Sequence, residues 1–196
     1  VARGDFQTGT LALETSMQWS VVVDDIRREP GITLMALAGG QFPEYVAVDH
    51  EGYVVWHYVD RTGRASGLGN IIRRLPDGTL LLRGATDMRV VDTWGRTLRR
   101  YPESSALGLP FHHDAVFVPD GNLLVLSAER RQIFAFELGG NVNVLADTVL
   151  ELDTTGGLVR RWHAFDALDG SRFPGPMSRQ DLGIGFDWSH TNAIHY

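Results

Sequence analysis

Residues 112–126 read HHDAVFVPDGNLLVL, and the fold class can be inferred from them. Two apolar runs of strand length flank a Pro-Asp-Gly tripeptide that is typical of tight turns, so the stretch predicts a β-hairpin. Residues 71–83, IIRRLPDGTLLLR, repeat the pattern, and their turn residue Asp77 lies 43 residues before Asp120. The chain therefore contains an internal repeat built from hairpins.

A second kind of hairpin occurs in three places. Each copy has an apolar alternating run, then Asp-x-x-Gly, then a second run that ends in an aromatic residue. The three copies are YVAVDHEGYVVWHY at 45–58, MRVVDTWGRTLRRY at 88–101 and VLELDTTGGLVRRW at 149–162. In each turn we expect the aspartate to accept hydrogen bonds from nearby backbone N–H groups and the glycine to adopt a positive φ.

The order of the two hairpin types predicts the architecture. Asp49 and Asp92 are also 43 residues apart, so one period holds two hairpins, which together form a four-stranded antiparallel unit. A repeating unit of this kind and length is typical of a β-propeller blade. Asp92 and Asp153 are 61 residues apart, which indicates an insertion at 130–147, between the inner and outer hairpins of the third unit. The fold is therefore predicted to be all-β, a β-propeller with only about half of its blades in this chain.

The repeats also predict the domain organisation. Blade repeats are expected near 45–58, 70–101 and 112–162, with the next blade starting at residue 190. Residues 30–196 are interpreted as a partial propeller, and residues 1–29 as an N-terminal β segment or a linker. So few repeats cannot close a ring, and we expect the sequence to be a piece of a longer protein.

Composition excludes several classes of function. The net charge is −6 and the basic residues are dispersed in pairs, whereas nucleic-acid binding needs a concentrated basic face. Cysteine is absent, which excludes thiol nucleophiles, cysteine-based zinc sites and disulfides. The apolar runs are far shorter than the roughly 18 residues of a membrane-spanning helix. We therefore predict no nucleic-acid partner and no membrane span in this segment.

Alignment of the repeats through their first strands brings polar residues into register before the innermost strand of each unit. One column contains Leu68, His112 and His190, and another contains Asn70, Asp114 and Asn192. In a propeller the loops that enter the inner strands surround the central channel, so His112 and His190 are expected to converge. An imidazole serves as nucleophile, acid or base near neutral pH, and an Asn or Asp side chain can orient it or bind a polar substrate group.

A metal site is the alternative to a catalytic histidine site, and the role of Trp188 is open. All the polar candidates in these loops are types of metal ligand, but their spacing matches no metal motif, so no metal and no other cofactor is predicted. They are His112, His113, Asp114 and His190. Trp188 lies two residues before His190, where its ring either stacks on an aromatic substrate or packs in the core.

Five segments of the chain resemble the bacterial arylsulfate sulfotransferases. They are PGITL at 30–34, DHEGYVVW at 49–56, HHDAVFVPDGNLLVL at 112–126, DTVLELDTTGGLVRRWHAFDAL at 147–168 and DWSHTNAIHY at 187–196. Members of that family are exported six-bladed propellers that move a sulfuryl group between phenols without a nucleotide donor. The resemblance implies a periplasmic or extracellular enzyme that takes an aryl sulfate donor and a phenol acceptor and that could form a homodimer.

The resemblance also implies roles for single residues. His190 and Asn192 look like the family's His-x-Asn pair, with Asn192 orienting. His112 looks like an earlier active-site histidine, and its neighbour His113 is the other match for that position.

His113, Asp114 and Trp188 are then expected to bind substrate. The family's transiently sulfated histidine and an arginine that binds the sulfuryl oxygens would both follow Tyr196, so the sequence resembles about half of an active site. The alternative interpretation is a propeller that binds a ligand or a protein partner without catalysis.

Overall fold

The computed structural model describes residues 30–37, 40–65, 71–104, 107, 110–135, 140–168 and 185–196. Three predictions fall outside these ranges: the N-terminal segment 1–29 and the column positions Leu68 and Asn70. Within the described ranges the chain forms strands and one short helix, which confirms the all-β class. The closed ring of blades stays a prediction.

The strands follow one another in chain order. They are β1 (Ile32–Leu37), β2 (Glu44–Asp49), β3 (Val54–Val59), β4 (Ile72–Arg74), β5 (Leu80–Arg83), β6 (Asp87–Val91), β7 (Thr97–Pro102), β8 (Ala115–Phe117), β9 (Leu123–Ala135), β10 (Gly140–Leu152), β11 (Leu158–His163) and β12 (Phe186–Asp187). The helix α1 (Ala164–Ala167) follows β11. In the described ranges, no helix is both long and apolar enough to cross a membrane.

Three sheets are built from these strands. The first has the order β1-β2-β3, the second β4-β5-β6-β7, and the third β8-β9-β10-β11 with β12 added to β10. All pairings are antiparallel except that of β12, which runs parallel to β10. The second and third sheets therefore each contain the four-stranded meander that the repeats predicted.

The hairpin turns form as the sequence predicted. In the first copy the Asp49 side chain accepts the N–H groups of Glu51 and Tyr53, both at 2.9 Å. Gly52 has φ 90°, a conformation in which a side chain would be strained. The corresponding glycines of the other turns also have positive φ; they are Gly78, Gly95, Gly121 and Gly156.

The extra residues of the third repeat lie in β9 and β10. Each of these strands has 13 residues, and they pair without a break from Leu123 opposite Leu152 to Ala135 opposite Gly140. Residues 130–135 and 140–147 thus lengthen one hairpin, which we call the long hairpin. This hairpin supplies the edge to which β12 is added.

The second sheet lies between the other two, and its central strands β5 and β6 are buried on both faces. Leu81 of β5 packs in a core cluster with residues of the third sheet, such as Leu123 and Leu150. Its neighbours Leu80 and Leu82 point to the opposite face, where they pack against the first sheet. Burial of one such leucine stabilises the fold by about 2 kcal/mol. Because both faces of β5 are buried, its residues 80–82 are all apolar and do not alternate with polar residues.

Candidate functional site

The predicted histidines meet where the chain enters β8. The N–H of His112 donates to the carbonyl of Leu126 at 3.0 Å, and the N–H of Leu126 donates to the carbonyl of Asp114 at 3.1 Å. These two bonds hold the chain against β9 on either side of His113. The Asp114 N–H also donates to the His112 carbonyl at 2.7 Å, which makes a tight turn centred on His113.

His190 reaches the same place from the segment that follows β12. The pairing of Phe186 with Val144 and of Asp187 with Leu145 fixes the start of this segment on the long hairpin. The imidazole ring of His113 then lies between two others. Its centroid is 5.1 Å from the ring of His112, edge-on, and 5.5 Å from the ring of His190. The structure thus brings together three of the six predicted site residues as a histidine cluster, His112, His113 and His190.

The backbone at this cluster is strained. Among the described residues other than glycine, His113 and His190 are the two with positive φ, at 53° and 41°. Each such conformation costs on the order of 1–3 kcal/mol and persists where the surrounding structure enforces it. Strained residues of this kind gather at functional sites, so the backbone marks the same two histidines that the imidazole contacts mark.

Asp147 of β10 ties the cluster together, and sequence reasoning did not select it. Its Oδ1 lies 3.3 Å from Nε2 of His112, while Oδ2 accepts hydrogen bonds from the Ser189 hydroxyl at 2.7 Å and the Thr191 N–H at 2.5 Å. The Ser189 hydroxyl in turn accepts the Asp147 N–H at 2.7 Å. Burial by itself would raise the pKa of Asp147, but the contacts of its carboxylate with His112, Thr191 and Ser189 outweigh burial and lower the pKa to about 2. The carboxylate is therefore ionised throughout the neutral range.

One signal in the sequence could have pointed to Asp147. It lies within a run of alternating apolar residues, and aspartate is depleted from strand interiors. An aspartate at such a position needs a compensating role, which the contacts with the histidine cluster supply.

His112 is the most enclosed of the three histidines. The residue is 8% exposed, and neither ring nitrogen has a well-aligned hydrogen bond to any part of the chain that the structure describes. Its Nε2 contact with Asp147 is longer than the usual N–H···O distance. Because Nε2 faces the Asp147 carboxylate, Nδ1 is the ring nitrogen that can contact a polar ligand atom.

The other two imidazoles differ in their protonation. Burial lowers the pKa of His113, and the positive charges that His112 and His190 can carry lower it further. The pKa of His190 is raised, because Nδ1 is hydrogen-bonded to the Asp187 carboxylate. At neutral pH the cluster therefore favours a neutral His113 beside a more readily protonated His190, whose side chain is 61% exposed.

The two predicted polar partners of the histidines, Asn192 and Asp114, form hydrogen bonds with backbone groups. Asn192 donates through Nδ2 to the carbonyl of His190 at 3.0 Å. Asp114 accepts the guanidinium of Arg73 at 2.8 Å and the N–H of Ile194 at 2.9 Å, so it links the second sheet to the chain after His190. Residues 192–196, which the repeat alignment matches to the chain entering β8, have no assigned strand in the structure. Carboxylates accept the N–H groups of Thr191 and Ile194 in this segment.

Trp188 packs in the core beside the cluster. Its ring stacks on Phe165 with centroids 5.4 Å apart and planes 18° apart, and Arg131 covers Phe165 at 4.8 Å. Trp188 also packs against Val144 and Ala146 and is 8% exposed. Little of the ring is left for a ligand, and the predicted stacking on substrate stays a prediction.

The described residues contain no metal site but do contain an apolar cleft away from the histidine cluster. No group of three or more His, Asp or Glu side chains among the described residues has the arrangement needed to hold a metal ion. A cleft of about 700 Å³ lies elsewhere, between the first and second sheets, and is mostly apolar. Leu34, Trp56, Leu80 and Trp94 line it together with one cationic side chain, Arg74.

Comparison with known proteins gives the family. A sequence model described as "Arylsulfotransferase (ASST)" matches residues 21–196. The chain belongs to the arylsulfotransferase family. Family membership supports a sulfotransferase-type function and agrees with the resemblance carried by the five segments.

The other two comparisons add little to this assignment. The search of curated proteins found no match. Among solved structures, the chain is similar to a Bacteroides caccae protein of unknown function whose crystal structure was determined at 1.35 Å resolution, with 17% sequence identity and a TM-score of 0.40. The match covers 70% of this chain and 43% of that one, so the chain spans less than half the length of this solved structure.

Proposed function

We propose that the full-length protein is an aryl sulfotransferase that transfers a sulfuryl group from an aryl sulfate ester to a phenol. The observation that carries the proposal is the histidine cluster, in which two of the three imidazoles stand on strained backbone beside an ionised carboxylate. Family membership supplies the reaction class. We further propose that the nucleophilic histidine follows Tyr196 and becomes sulfated during turnover.

We propose a β-propeller as the scaffold of this enzyme, with six blades as in the family. The three sheets would be consecutive blades, and the chain from His190 onward would enter the next one. The histidine cluster would then face the central channel, where a histidine from a later blade can approach it. Export to the periplasm or the cell exterior belongs to the same proposal and is drawn from the family.

The chemistry requires a nucleophile, a proton donor and groups that hold the sulfuryl oxygens. In the first step a nitrogen lone pair of the nucleophilic imidazole attacks sulfur, and the bond between sulfur and the aryl oxygen breaks. The electron pair of that bond leaves on the phenolate oxygen, which takes a proton from His190. In the second step His190 takes the proton of the acceptor phenol, whose oxygen attacks sulfur as the N–S bond breaks.

The described residues suit these tasks. A phenol has a pKa of about 10, so its departure needs a proton donor, and the raised pKa of His190 favours the protonated form. The loose transition state places charge on the equatorial oxygens, and the enclosed His112 can donate to one of them. Asn192 keeps the backbone of His190 in place.

A second candidate function is a propeller that binds a ligand without turnover. The cleft between the first and second sheets favours it, because about 700 Å³ of mostly apolar space flanked by Trp56 and Trp94 is of the size that accepts a small aromatic molecule. In that case the full-length protein would bind aromatic ligands and release no product.

The test is incubation of the full-length protein with p-nitrophenyl sulfate and phenol. We expect phenol-dependent release of p-nitrophenol and a peptide that carries a sulfated histidine, detected by mass spectrometry. His190→Ala should lower kcat/KM by about 100-fold or more, the typical contribution of a general acid–base group. His50→Ala, at an exposed hairpin turn, is the matched control and should leave it unchanged. Absence of both release and adduct would reject the transferase and favour the binding function.

A further inference from the structure

The long hairpin acts as a template for the segment that carries His190. β12 adds to its edge through the pairs Phe186–Val144 and Asp187–Leu145, and the N–H of Trp188 donates to the carbonyl of Leu145 at 2.9 Å. Two residues after Leu145 in β10, the contacts with the added segment are made by the side chain of Asp147. The residues of β10 that build this edge belong to the extra length of the third repeat.

The Asp147 carboxylate contacts both sides of the strained histidine. Through Oδ2 it accepts the hydroxyl of Ser189, which precedes His190, and the N–H of Thr191, which follows it. Through Oδ1 it contacts Nε2 of His112, in the segment that leads into β8. The Asp147 side chain is 11% exposed, so these contacts are shielded from water.

We propose that Asp147 is a positioning residue for sulfuryl transfer: its carboxylate holds the His112 ring and the backbone on both sides of His190 in one arrangement. The inference rests on the proposed function and adds to it a residue that the family resemblance does not assign. Asp147 has no contact with the reacting atoms in this role. It acts by fixing the two imidazoles that do.

The charge and both oxygens of the carboxylate are needed for this role. Thr191 N–H is a donor, and His112 donates from Nε2 whenever that nitrogen carries a proton. Both oxygens of a carboxylate accept hydrogen bonds, so Asp147 can accept from His112 and from Thr191 at the same time. An amide of the same shape has one acceptor oxygen, and its NH₂ group would face one of these two donors. Asp147→Asn therefore releases either the His112 ring or the Thr191 N–H.

The first readout is the turnover of p-nitrophenyl sulfate by the full-length protein. Misplacement of a catalytic group by about 1 Å costs about 100-fold in rate, so Asp147→Asn should lower kcat by about 100-fold. KM should stay within about threefold, because the carboxylate does not contact substrate. Asp153→Asn is the matched control: Asp153 is a turn aspartate of the same sheet that accepts the Thr155 and Gly157 N–H groups, and its loss should leave kcat unchanged.

The second readout is independent of activity. Hydrogen exchange of the peptide that covers residues 188–196 should rise at least about tenfold in Asp147→Asn, since the Thr191 N–H loses its acceptor, and should be unchanged in Asp153→Asn. The proposal is overturned if Asp147→Asn keeps both kcat and exchange at the native values, or if Asp153→Asn loses kcat equally. If the native protein has no turnover, the proposed function fails, and the exchange experiment by itself decides whether Asp147 positions the segment.

Discussion

Replacement of Arg89 by methionine tests how the first and second sheets are joined. Arg89 is 3% exposed, and its guanidinium lies 2.9 Å from Asp60 after β3 and 2.7 Å from Asp87 of β6. It also donates to the hydroxyl of Tyr58 at 3.0 Å. Methionine fills similar volume without the charge, so the substitution leaves two carboxylates buried with one cation fewer.

The size of the effect follows from what the carboxylates retain. Removal of one partner of a buried ion pair costs about 3–5 kcal/mol. Asp60 keeps hydrogen bonds from Thr62 and from the N–H of Ala85, and Asp87 keeps the guanidinium of Arg100, so the lower end applies. We expect the free energy of unfolding to fall by about 3 kcal/mol, which at a urea m-value of about 2 kcal/mol/M lowers the unfolding midpoint by about 1.5 M.

The assay is urea unfolding followed by circular dichroism, with Arg96→Met as the control. Arg96 pairs with Asp92 at the same 2.7 Å but is 75% exposed, and an exposed pair of this kind contributes little to stability, so its midpoint should not move. Addition of Asp60→Asn to the Arg89 variant should recover at least about 1 kcal/mol, since it removes an uncompensated charge. Equal midpoints for the two single variants, or a further loss in the double variant, would refute the reasoning.

Two other predictions concern the site and the core. Asp187→Asn should lower the pKa of His190, since the carboxylate favours the protonated ring. In a pH–rate profile of the full-length protein, the fall in activity that accompanies loss of the His190 proton should therefore move to lower pH. An unchanged profile would contradict this prediction. Gly84→Ala should destabilise the protein by about 1–3 kcal/mol in thermal unfolding, because a Cβ there would overlap the side chains of Asp87 and Arg89. Gly31→Ala is the control: a Cβ there meets no atom within 4 Å, so its stability should be unchanged.

The turns of this fold could be predicted because they are local. The Asp153 side chain accepts N–H groups only two and four residues further along the chain, and Gly156 has the positive φ that the Asp-x-x-Gly pattern predicted. The same holds for the all-β class, since strand alternation is written in neighbouring residues. The repeat spacing predicts an insertion at 130–147, but the continuous 13-residue pairing of β9 with β10 was visible only in the structure.

The candidate site could be predicted in part. Repeat alignment selected His112 and His190, and the structure places both against His113. Asp147 was not selected, because the repeat alignment has no counterpart for residues in the lengthened hairpin. Trp188 was left open between two roles, and its stacking on Phe165 depends on how α1 and β12 meet.

The strands, the turns and the repeat follow from the sequence alone, since they depend on hydrogen bonds and side-chain alternation within a few residues. The tertiary structure decided which charges and rings meet. Asp147 bonds to residues more than 40 positions later, and Asp114 bonds to Ile194, 80 positions later. No local pattern specifies such pairs, because they form only when segments distant in the sequence have packed together and excluded water from the carboxylates between them.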